Sequence, residues 1–259
     1  MSDRPQHLDY LFADWPYEFG EVIARLAKGA DGRDVLQLRV EMGVLQMETG
    51  GRPDGSRPGG HASCLEWLHA QMADEGEAFG FDGRRCLEID REFVQYFHRR
   101  VAWLALREFE RAVEDADHTL ALMDFSSIHA PDVEWAAMHE QYRPFVLFHR
   151  TQAAALAALE KSGPDVAVAD IDAGIQAIRV ALESGIEMEL GLDLDAELEE
   201  ESEEDELIVK LAEMKSAIAE QYHVQPTLRE QLAAAIAAEQ YERAAQLRDQ
   251  LRRRSRRRE

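Results

Sequence analysis

Residues 226–251 read Pro226-Thr227-Leu228-Arg229-Glu230-Gln231-Leu232-Ala233-Ala234-Ala235-Ile236-Ala237-Ala238-Glu239-Gln240-Tyr241-Glu242-Arg243-Ala244-Ala245-Gln246-Leu247-Arg248-Asp249-Gln250-Leu251, and an arginine tail follows. Pro226 cannot continue a preceding helix, so the chain turns there. Thr227 followed by Glu230 is a capping-box signature. Leu228, Leu232, Ala235 and Ile236 fall at i, i+4, i+7 and i+8, one face of a helix. Tyr241, Ala244, Leu247 and Leu251 share a face of a second helix. Ala234, Ala235, Ala244 and Ala245 let the two backbones approach closely. The pattern is two short helices joined by a tight turn. The apolar surface of so small a unit offsets only part of the entropy lost on ordering it. The hairpin therefore needs another surface: the rest of the chain, a second copy or a partner.

Tyr241-Glu242, Ala244-Ala245 and Leu247-Arg248-Asp249, behind the Ala235-Ile236 pair, give this stretch a specific likeness. It resembles the UVR module, the small helical hairpin of the UvrB and UvrC repair proteins and of some chaperone-associated regulators. The competing reading is an ordinary Ala- and Arg-rich terminal hairpin. The resemblance implies protein–protein contact. The expected contact face is Leu228, Leu232, Ile236, Tyr241, Leu247 and Leu251, with Arg248 and Asp249 setting polar register at its edge.

The rest of the chain reads as mainly α-helical. Val22 to Ala27 and Leu36 to Met42 flank a turn-rich segment from Lys28 to Arg33. Leu36, Leu38, Val40 and Met42 alternate with Gln37, Arg39, Glu41 and Gly43, which predicts a β-hairpin. A helix competes, because Val35, Leu38, Met42 and Leu45 also fit one helical face. The aromatics between Trp15 and Phe19 are expected to pack on the domain that follows. Gly50 to Gly60 is a loop by composition, and without a Gly-Lys-Ser/Thr ending it reads as a connector rather than a phosphate-binding loop.

From 61 to 192 the pattern is helical. Ser63 is a candidate N-cap, Gly80 to Gly83 a break, and Pro144 a helix start or kink. The helix through Phe93, Phe97, Val101 and Leu104, with its successor from Glu108 to Asp117, resembles a tetratricopeptide repeat. A second pair, Arg150 to Lys161 and Asp165 to Leu182, places Ala155, Ala158, Ala167, Ile171 and Gly174 comparably. The two units are 55 residues apart, not 34, so a generic helical bundle is the rival. Residues 193–206 hold ten carboxylates and read as a solvated linker. Leu207, Leu211, Met214, Ile218 and Tyr222 form a narrow seam similar to a coiled-coil stripe, leading into the hairpin. Four segments result: 1–60 with the β-hairpin and Gly-rich loop, 61–192 helical and tetratricopeptide-like, 193–206 acidic, and 207–259 with the linker helix and UVR-like hairpin.

The chain carries a formal net charge of −22, which disfavours broad nucleic-acid binding and favours basic partners. No secretory leader and no membrane-length apolar run are read, and two cysteines fit a reduced, cytoplasmic protein. No catalytic, cofactor or metal site is expected. His61, Cys64, His69 and Cys86 have ligand chemistry but lack a completing second pair. His98, His118, His129, His139 and His149 read as ordinary helix residues. Carboxylates are too frequent to single out a pair, and no nucleophile elbow appears. The tail arginines Arg248, Arg252, Arg253, Arg254, Arg256, Arg257 and Arg258 have three readings: contact with nucleic-acid phosphate, complement to a helix C-terminus, or docking on the acidic block. The expected function is a non-enzymatic adaptor or scaffold that binds protein partners or itself through the hairpin. The alternative is an accessory factor in nucleotide excision repair.

Overall fold

The computed structural model describes residues 7–189 and 203–255. The chain divides into two compact units, Met1–Glu213 and Met214–Glu259. The division falls inside the helix Glu203–Tyr222 rather than at the acidic block, whose residues 193–202 lie outside the described part.

The first unit begins with a short helix α1 (Asp9–Asp14) and a three-stranded antiparallel sheet, β1 (Ile23–Lys28), β2 (Asp34–Val40) and β3 (Gly43–Glu48), in the order β1-β2-β3. Strands therefore prevail over the competing helix. The β1–β2 pairing runs Ile23 with Arg39 to Lys28 with Asp34. The second run ends earlier than the alternation suggests. Val40 pairs with Gly43, so Glu41 and Met42 form a two-residue turn, and a third strand follows. Neither turn residue has a positive φ, and the Asn-Gly signal of tight hairpins is missing. Arg39 supplies local support: its guanidinium donates to the carbonyls of Val40 and of Gly43, the latter at 2.9 Å. Met42, at the tip, is 88% exposed.

Phe12, Trp15 and Tyr17 lie against arginines of the sheet, whereas Phe19, also expected to pack, is 94% exposed. Arg39 Nε donates to the Trp15 carbonyl at 3.0 Å, and the Arg25 guanidinium lies 4.1 Å from the Trp15 ring centre. The other face of the sheet meets the helices. Leu36, Leu38 and Met47 join Ala102, Trp103, Phe109, Ala112 and Ala153 in one core.

Six helices follow the sheet: α2 (Cys64–Glu75), α3 (Gly83–Ala105), α4 (Phe109–His129), α5 (Val133–Glu140), α6 (Arg143–Lys161) and α7 (Pro164–Glu189). Their starts are encoded locally. The Ser63 hydroxyl accepts from Glu66 N at 3.1 Å, and the Asp82 carboxylate accepts from Arg84 N and Arg85 N. Pro144 sits in the first turn of α6, where its missing N–H costs nothing. Between α3 and α4 the chain reverses on Arg107, at φ 60°. Glu108 N donates to the Trp103 carbonyl and Arg107 N to that of Leu104, the bonds of a Schellman turn made without glycine. A second core gathers Cys64, Trp67, Leu68, Ile89, Leu122, Phe125 and Trp135 from α2 to α5.

Helix α3 buries an unexpected face. Phe93, Phe97, Val101 and Leu104 mark it as a helix, yet Phe97 is exposed. The buried positions include Glu92, Tyr96, Arg99, Arg100 and Trp103.

Helices α6 and α7 approach closely because Gly174 has no side chain. A Cβ there would overlap the buried Thr151 side chain. Gly174→Ala forces the helices apart and is expected to destabilise the first unit by about 1–3 kcal/mol, the usual range for an overpacked contact. Urea denaturation followed by circular dichroism measures this, and Thr151→Ser, by removing one methyl, should recover part of the loss in the double variant.

The second unit contains the end of α8 (Glu203–Tyr222) and the hairpin α9 (Leu228–Ala237) and α10 (Tyr241–Ser255).

Candidate functional site

The hairpin turn is built like the α3–α4 turn. Glu239 takes φ 55°, Gln240 N donates to the Ala235 carbonyl at 2.8 Å, and Glu239 N donates to that of Ile236 at 3.0 Å. These bonds satisfy the last carbonyls of α9 and reverse the chain in three residues. At the start of α9, Gln231 Nε2 donates to the Pro226 carbonyl at 2.7 Å. The Thr227–Glu230 capping box rests on the Glu230 side chain, which lies outside the described residues.

The structure separates the expected contact residues into two groups. Leu247 is buried with Ala235 and Ala244, and Leu228 and Leu232 pack against them. These five make the hairpin's own small core. Ile236 and Tyr241 face outward, 55% and 69% exposed. Arg248 and Asp249 are exposed neighbours whose charged groups lie 3.4 Å apart. The Leu251 side chain is outside the described residues, as are all tail arginines beyond Arg252. Two large apolar side chains thus stand on the hairpin surface beside charged groups.

The Gly-rich loop is more than a connector. Arg52 and Pro53 are buried, and the Arg52 guanidinium enters a group of acids on α3. Its Nη1 meets Glu88 Oε2 at 2.5 Å, and its Nε lies 3.6 Å from Glu92 Oε2. Glu92 is fully buried and also caps α2, accepting from Cys64 N at 2.6 Å and Leu65 N at 3.2 Å. A carboxylate on a helix N-terminus is favoured by the unpaired amides there. Arg99 works in the opposite direction. It donates to the carbonyl of Glu48 at the end of β3 and to that of Gly51 in the loop, and it grips Asp115 of α4 through two bonds of 2.9 and 2.6 Å.

Next to this network lies a cavity of about 730 Å³, walled by residues 49–51, α3, α4 and α6. His118 lines it. Its ring stacks on Tyr96 at 3.9 Å, and its Nε2 contacts Glu92 Oε1 at 2.8 Å. Burial pushes the Tyr96 phenol above its ordinary range. Burial, helped by the Glu92 charge, pushes the Cys64 thiol up to about 12, so this cysteine stays protonated and unreactive. Among the described residues no group of three or more His, Cys, Asp or Glu is placed to hold a metal ion. No helix among them is long and apolar enough to cross a membrane.

Nothing in the sequence reading assigned a role to Arg52, Glu92, Arg99 or His118. A usable signal was present: Glu88, Glu92, Gln95 and Arg99 recur at helical spacing as a polar stripe.

His149 of α6 shows what burial does to a neighbouring pair. Arg100 Nε donates to His149 Nδ1 at 3.3 Å, and its Nη1 donates to the Thr119 hydroxyl at 3.1 Å. Burial first, and the Arg100 charge second, lower His149 from 6.5 to about 3. Burial lowers Arg100 to about 10. The unfolded chain therefore protonates His149 before the folded one does as pH falls. The stability tied to its neutral form is complete above about pH 6.5 and is lost progressively towards pH 3. His149→Gln, which keeps an acceptor but does not titrate, should flatten the drop in unfolding free energy between pH 7 and pH 5, as read by urea titrations at each pH.

The comparisons with known proteins bear on the hairpin alone. The family model of the UvrB/uvrC motif matches residues 224–254, which span α9 and α10 to within one residue of its end. No curated protein and no solved structure matches the chain.

Proposed function

We propose that this chain is a non-enzymatic adaptor whose C-terminal hairpin holds a protein partner or a second copy. The carrying observation is the outward pair Ile236 and Tyr241, within the stretch that matches a motif used for protein contact. Five side chains of the hairpin close its internal core, which leaves these two for another surface. Large aromatic side chains beside arginine are favoured anchors at interfaces. The first unit is the body to which this contact is tethered.

Tyr241→Asp and Ile236→Asp should abolish capture of partners by the full chain while its melting behaviour is unchanged. Leu247→Asp should unfold the hairpin as well, because Leu247 is internal. Affinity purification with the intact chain and these variants, beside sedimentation for self-association, checks the reading. Capture unaffected by either surface substitution contradicts it.

A second reading, an accessory role in excision repair, draws on the charge distribution. Residues 214–259 hold ten Lys and Arg against six Asp and Glu, whereas residues 1–213 hold nineteen against forty-five. This basic end is suited to phosphate contact. On that reading, the full chain binds duplex DNA with an affinity that falls steeply with salt, and truncation after Leu251 removes the binding. Fluorescence anisotropy at 50 to 200 mM salt measures both.

A further inference from the structure

We draw no further inference here: the strongest candidate, the exposed apolar surface patch around Phe97 of α3 and Phe145 of α6, whose ring centres lie 6.3 Å apart, is an unpartnered face, and nothing in the structure shows what covers it.

Discussion

Two buried guanidinium groups tie the Gly-rich loop to the helices, and the first unit is arranged around them. Arg52 reaches from the loop into the acids of α3, and Arg99 reaches from α3 back to the carbonyls of Glu48 and Gly51. Removing an arginine from water is costly unless charge and hydrogen bonds are both supplied inside. Glu88 supplies Arg52 with charge and a hydrogen bond, Gln95 with a second bond and Glu92 with nearby charge, while its buried Nη2 has no hydrogen-bond partner; Asp115 with the carbonyls of Glu48 and Gly51 supplies both to Arg99. The arrangement also solves the loop's own difficulty. Irregular backbone brought inside a protein carries polar groups with no ladder to satisfy them. Here side chains of α3 take that part. Gly59 completes the fit, since its backbone runs against Trp67 where a Cβ would collide.

The same constraint shapes the cavity. Because Arg99 is committed to the loop and to Asp115, it is held in the wall as a structural cation. Because Glu92 is committed to α2 and Arg52, it fixes the orientation of the His118 ring. The rest of the cavity wall mixes Glu108, Glu110, Glu114 and Glu160 with Arg107, Arg111 and Lys161.

The hairpin follows a different economy. Its core is two alanines and a few leucines, and it closes through a turn with Glu239 in a left-handed conformation that glycine would adopt more readily. So small a unit can bury only part of its apolar surface. Ile236 and Tyr241 are the visible remainder. Charge is segregated between the ends of the chain: the basic excess lies with the hairpin and the acidic excess with residues 1–213.

Much of this was legible in the residues. Local signals marked the helix starts at Ser63 and Pro144, the break from Gly80 to Gly83, the strand alternation around Leu36 and Leu38, and the helical hairpin with its motif likeness. Each depends on contacts within a few positions of the chain, so spacing is sufficient to find it. The β3 strand was not legible, because the Glu41-Met42 turn lacks the glycine or asparagine that marks a tight hairpin, and an arginine side chain holds it instead. The buried polar face of α3 was hidden for a related reason. Apolar periodicity through Phe93 and Phe97 drew attention to one side of the helix, while Glu92 and Arg99 look like solvated residues until their partners arrive from the loop and from α4. By itself the sequence determined the helical class, a β-hairpin near the N-terminus and the terminal helical hairpin, since these follow from backbone preference and local periodicity. Only the tertiary structure decided which charges are buried, which hairpin side chains face inward and where the cavity opens, because each of those is set by groups far apart in the chain that meet only when it folds.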